Sequence, residues 1–108
     1  MTLKNSLAVY ESISAKLTLK RGVKSGKMFG IPCLTVNGRA FAGFYNYEMF
    51  FKLTGEAHVY ALTFKRAKIF KHLWSKRPMK EWVQVPATHS KQWTKFAESA
   101  LKYVKAKK

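Results

Sequence analysis

The chain has 108 residues, 47% of them apolar, and 21 Lys and Arg against five acidic residues, for a formal net charge of +16. This length suits one domain, residues 1–108, that buries roughly two-thirds of its unfolded surface without disulfide or metal support. No run approaches the roughly 18 apolar residues of a membrane span, the N-terminus lacks a charged-then-apolar leader, and the lone Cys33 cannot form an internal disulfide, so a cytoplasmic location is the default expectation.

In chain order, Thr2 to about Lys20 reads as an amphipathic helix. Leu3, Leu7, Tyr10, Ile13 and Leu17 follow a helical period and form its apolar stripe, opposite a polar, Ser-rich face, and Gly22 is the expected stop. Val23 to Lys27 reads as a link, and a first strand is expected from about Met28 to Val36. Pro32 cannot donate to a ladder, so it points to an edge position or a bulge. Asn37-Gly38 is a type I′ hairpin signal, because that turn needs positive φ at both central residues. A second strand, Arg39 to Tyr45, holds Gly43 at a bulge or a close helix contact. In a third, Tyr47 to Leu53, Met49, Phe51 and Leu53 alternate with Glu48, Phe50 and Lys52.

Thr54 reads as an N-cap, with Glu56 in the first turn of a short helix to about Phe64. Ala57, Tyr60, Ala61 and Phe64 form its expected buried stripe. A fourth strand is expected over Ala67 to His72 and a fifth over Lys80 to Val85, with Trp82 and Gln84 on one face and Val83 and Val85 on the other. The last helix runs from Thr88 or Ser90 to Val104. Its stripe is Trp93, Phe96, Ala97, Ala100, Leu101 and Val104, with Lys91, Lys95, Lys102 and Lys105 facing outward and residues 105–108 frayed. The order is α-β-β-β-α-β-β-α. It predicts a two-layer α+β fold, a mainly antiparallel five-stranded sheet with helices on one face.

Five signatures in this order have a parallel: Met28-Phe29-Gly30, Asn37-Gly38-Arg39-Ala40-Phe41-Ala42, Lys52-Leu53, Met79-Lys80-Glu81-Trp82-Val83-Gln84-Val85-Pro86, and Ala100-Leu101-Lys102-Tyr103-Val104. Together they resemble the N-terminal domain of the TfoX/Sxy family, over about three-quarters of the chain. The resemblance implies a small α+β fold similar to secretion-chaperone-like folds. It supplies no catalytic residues. The regulators of natural competence that gave the family its name, thought to act alongside a CRP-type activator, carry a second, C-terminal domain with no counterpart in these 108 residues. Stand-alone copies of the domain are mostly uncharacterised. Two departures add charge: Lys65-Arg66-Ala67 stands where the family commonly has a Pro-Gly-Ala turn, and Lys71-His72 where an Asp-Pro is common.

The charge has two readings, binding to a phosphate-rich polymer and a merely solvated basic surface. Lys65, Arg66, Lys68, Lys71, Lys76, Arg77 and Lys80 crowd one stretch, interleaved with Phe70, His72 and Trp74. Such a mixture suits phosphates and an unpaired base stacked on Trp74; otherwise the aromatics are core and the lysines wet. Lys91, Lys95 and Lys102 extend the candidate surface along the last helix. His58, His72 and His89 are too scattered for a metal site, Cys33 reads as a small buried hydrophobe, and Glu48 and Glu81 form no acid–base pair. Glu81 is expected to pair with Lys80 or Arg77 on the surface. Gly22 to Gly30 precedes a strand and lacks the Gly-Lys-Ser/Thr ending of a phosphate loop. The expectation is a non-enzymatic regulatory or adaptor domain without cofactor, binding nucleic acid or another polyanion. The alternative is a homodimeric protein-interaction module with an acidic protein partner, and a small-molecule pocket between sheet and helices is a third option; no membrane association is expected under any of them.

Overall fold

In the computed structural model, which describes residues 3–28, 30–70 and 81–106, one antiparallel sheet carries the helices on a single face. The elements are α1 Leu3–Leu17, β1 Val23–Met28, β2 Ile31–Val36, β3 Arg39–Tyr45, β4 Glu48–Lys52, α2 Gly55–Leu62, β5 Lys68–Ile69, β6 Trp82–Val85, a 3-10 turn Ala87–Gln92 and α3 Trp93–Ala106. The sheet order is β1-β2-β3-β4-β6-β5. The expected α+β class holds, with six strands in place of five.

The extra strand comes from the segment expected to be a link. Val23 to Met28 pairs antiparallel with Ile31 to Val36, and Gly30 turns the chain between them at φ +79°. Lys24, Ser25, Gly26 and Lys27 are all exposed, so no apolar alternation marks this strand in the sequence. As a consequence β2, with Pro32, is interior rather than an edge. Pairing of β2 to β3 begins at Cys33, one residue past Pro32, so the missing N–H interrupts no part of that ladder.

The Asn37-Gly38 turn forms as expected, with φ of +52° and +83°. A second turn of this kind, at Asn46-Tyr47 with φ of +54° and +65°, joins β3 to β4 and moves the start of β4 to Glu48. The bulge lies at Phe41: Leu34 pairs with Ala42 while Thr35 pairs with Ala40, leaving one extra residue on β3. Phe41 and Ala42 thereby both reach the helix-side core.

That core collects Tyr10, Ile13 and Leu17 of α1, Met49 and Phe51 of β4 with Leu53 beyond it, Ala61 of α2, Val83 and Val85 of β6, and the whole stripe of α3 from Trp93 to Val104. The Trp93 indole N–H donates to the Val85 carbonyl at 3.2 Å, which satisfies a fully buried donor. Two apolar stripes differ from expectation. Leu7 is 43% exposed while Ser6 is buried, so the inward face of α1 is rotated toward its Ser-rich side. In α2, Tyr60 is also exposed, with its ring against Phe64 and Phe96, and only Ala61 is buried.

The helices end differently too. α1 stops at Leu17 and turns through Thr18 to Lys20 before β1, whereas α3 keeps Lys105 and Ala106 helical. β5 and β6 are shorter than the strands expected at 67–72 and 80–85; residues 71–80 lie outside the described residues.

The opposite face of the sheet carries a smaller apolar cluster, Ile31 with the aromatic Phe50, Phe70 and Trp82. Phe50 stacks on Phe70 at 4.2 Å between centroids and meets Trp82 edge-on at 5.3 Å. Its ring occupies the space above Gly43, its direct partner on β3, where an added Cβ would lie 2.3 Å from the ring. Gly43 is thus a close-approach glycine facing β4, not a helix contact. Gly43→Val is expected to destabilise the fold by about 1–3 kcal/mol through overpacking, with Gly43→Ala at the lower end. Urea unfolding followed by tryptophan fluorescence measures this shift.

Candidate polyanion-binding surface

Three chain segments meet at one end of the sheet and enclose a half-open cleft of about 460 Å³. The β3–β4 turn contributes Asn46, Tyr47 and Glu48, the link from α2 to β5 contributes Lys65 and Arg66, and the stretch after β6 contributes Pro86 to His89. Each segment is pinned locally. Tyr45 pairs with Glu48 across the first turn. The Ala67 amide donates to the Phe64 carbonyl at 3.0 Å across the second. His89 is hydrogen-bonded through Nε2 to the Lys65 carbonyl at 2.9 Å, which joins the second and third segments. A carbonyl only accepts, so this bond places a proton on His89 Nε2.

Backbone strain gathers here. Four non-glycine residues among those described have positive φ, and three of them, Asn46, Tyr47 and Arg66 (φ +69°), line this cleft. Asn tolerates this conformation; a bulky aromatic or a long side chain does so only when its surroundings fix it. Arg66 occupies the third position of the Phe64–Ala67 turn, where glycine is the residue without penalty.

The sequence candidates divide accordingly. Lys65, Arg66 and Lys68 are exposed, the first two in the cleft and Lys68 on the edge strand β5. Lys91, Lys95 and Lys102 are exposed as expected. Lys95 is joined to the α2 side, its ammonium 5.2 Å from the Tyr60 ring, and Tyr60 leads through Phe64 to His89 at the cleft. Glu98, three residues after Lys95 and four before Lys102, interrupts this lysine row. Lys71, His72, Trp74, Lys76, Arg77 and Lys80 lie outside the described residues. Phe70 is removed from the candidate aromatics: it is fully buried against Phe50 and Tyr45.

Sequence reasoning missed two features. Tyr47, 49% exposed, reads as part of an alternating strand, yet it stands at the turn beside the cleft. The only hint was the Asn before it. A second basic surface also went unread: Lys16, Lys20 and Arg21, which the sequence shows as helix-end cations, are exposed together with Lys24 and Lys27 of the edge strand β1 and Arg39 beside the Asn37-Gly38 turn. Positive charge therefore lies near both ends of the sheet, and a second cleft of about 460 Å³ stands against α1, β1 and Pro32, with Lys27 in its wall; the strained backbone at Asn46, Tyr47 and Arg66, not charge or volume, singles out the first.

The remaining titratable groups have structural settings. Glu81 pairs with Lys52 at 3.9 Å and accepts from the Tyr103 hydroxyl. The expected partners Lys80 and Arg77 lie outside the described residues. Cys33 is buried between its strand partners Gly26 and Gly43, and burial pushes its thiol up, away from the nucleophilic thiolate. Among the described residues no three His, Cys, Asp or Glu side chains come together as a metal site, and no helix is long and apolar enough to cross a membrane. No protein-family model, curated protein or solved structure matches this chain.

Glu48 is the one acid of the cleft. Burial raises its pKa, against a smaller downward pull from the Lys68 ammonium. A carboxyl raised in the folded state favours folding when protonated, and that contribution is lost as pH rises through its folded pKa. Glu48→Gln is therefore expected to be more stable than the parent chain at pH 7, with the difference closing as pH falls to about 4, near the ordinary Glu pKa. Urea midpoints at the two pH values measure it.

Proposed function

We propose that this chain is a non-enzymatic binding module that docks nucleic acid or a comparable polyanion at the cleft end of the sheet. The residues are Lys65, Arg66 and Lys68, continued by Lys91, Lys95 and Lys102. The observation that carries this reading is Arg66. It is held at positive φ, exposed, in the cleft, at the turn position where glycine would fold without penalty. Strain of this kind persists where a side chain is needed, and an arginine offers bidentate contacts to phosphate. The net charge of +16 supplies the long-range attraction. A regulatory or adaptor role of the TfoX/Sxy N-terminal type belongs to the same proposal and rests on the sequence signatures alone.

Fluorescence anisotropy with short DNA and RNA at about 50 and 200 mM salt tests it, a range in which several phosphate contacts alter affinity by orders of magnitude. Saturable binding whose logarithm falls linearly with log salt is the expected result. Absence of binding to DNA, RNA and heparin at 50 mM salt would sink the proposal. Two substitutions separate binding from folding. Arg66→Gly is expected to stabilise the fold by about 1 kcal/mol, because it relieves the left-handed backbone. It should also weaken binding and lower the salt slope by about 1. Glu98→Gln removes the acid from the lysine row and is expected to tighten binding about twofold, the size of one exposed charge interaction.

One observation favours a second reading. β1 is an open edge strand with exposed Lys24 and Lys27, which suits an acidic extended peptide added as a further strand. Saturable binding to an acidic protein that heparin competes poorly, lost on changing Lys24 and Lys27 to Glu, would support this reading over the first.

A further inference from the structure

We propose that the cleft between the Asn46-Tyr47 turn and the Lys65-Arg66 turn takes an unpaired base, so that the preferred ligand is single-stranded nucleic acid. This rests on the polyanion reading above and narrows it. Three observations converge. First, Tyr47 lines the cleft and is 49% exposed, at a position where its backbone is strained and it belongs to neither apolar cluster. Second, Lys65 and Arg66 line the same cleft, so phosphates flanking a seated base have cations beside them. Third, about 460 Å³ lies within the usual range of pockets for small organic groups, and Asn46, Glu48 and Thr88 offer an amide, a carboxylate and a hydroxyl to base edges.

Stacking needs a base that has left its helix. A duplex can offer the lysines its phosphates but cannot place a base on Tyr47 without unpairing. Every base has a π-face, so stacking here discriminates strandedness more than sequence. Tyr47 thereby takes the role that a tryptophan of the basic stretch holds in the sequence reading.

The test measures anisotropy of a labelled 12-nucleotide single strand, a hairpin duplex of equal charge, and heparin as competitor, on the parent chain, Tyr47→Gly and Tyr47→Phe at about 50 mM salt. The single strand is expected to bind more tightly than the duplex. Tyr47→Gly should lose about tenfold on the single strand and nothing on the duplex, while Tyr47→Phe keeps both affinities. Glycine is at ease at positive φ, so Tyr47→Gly should melt no lower than the parent, and lost binding is then not lost folding. Equal affinity for the two strands, or a single-strand affinity indifferent to Tyr47→Gly, overturns the inference and leaves the polyanion reading standing. No binding to any of the three probes overturns both.

Discussion

The contact on which much of this structure depends is the Phe50 ring lying over Gly43. Strand β4 is apolar on both faces: Met49 and Phe51 enter the helix-side core, and Phe50 turns the other way. A side chain at position 43 would meet that ring, so the bare backbone of β3 is what lets an aromatic lie flat on the sheet. Phe50 then stacks on Phe70 and meets Trp82, which ties β4 to β6 and to the residue after β5. β5 has only two residues, so its ladder is slight; the Phe70 amide bond to the Trp82 carbonyl at 2.7 Å and the buried Phe70 ring fix its position. The turn before β5 carries Lys65 and Arg66. An apolar contact on the face away from the helices thus sets where the cations of the cleft stand.

Strain at the cleft follows from this rigidity. Positive φ at a tyrosine or an arginine costs on the order of 1–2 kcal/mol, and a free loop would relax it. Here Tyr47 is closed in by the Tyr45–Glu48 pair, and Arg66 sits in a turn bonded from Ala67 to Phe64, with His89 bridged to Lys65. Neighbouring strands and the 3-10 turn hold geometries that the local sequence would not choose. The same closure partly buries Glu48, the one carboxylate of the cleft, and that burial raises its pKa.

Charge and shape divide the work of recognition. Lysines and arginines lie near both edges of the sheet, at the end of α1 and along β1 on one side and at the α2–β5 turn on the other, with those of α3 over the central strands between them. A field so widely spread draws polyanions from a distance and depends on salt, but it selects no orientation. Orientation comes from short-range features: a cleft, an exposed ring and an arginine at a fixed angle. Glu98 within the α3 lysine row shows that even the basic flank is not uniform.

The sequence by itself determined the fold class, the Asn37-Gly38 turn, the faces of β4 and β6, and the whole buried stripe of α3. Each is a local matter: two positive φ values that Asn and Gly accept, a period of two, a period of 3.6. It could not show β1, because an edge strand covered by solvent needs no apolar alternation and forms by pairing with a partner. It misplaced Leu7 and Tyr60, since the angle at which a helix meets a sheet selects among neighbouring apolar residues and only packing sets that angle. The cations were legible as a composition. The cleft was not, because its walls come from residues 46–48, 65–66 and 86–89, brought together by strand order alone. Tyr47 moved from strand to turn for the same reason: its positive φ is imposed by the hairpin that closes around it, and no property of tyrosine announces it.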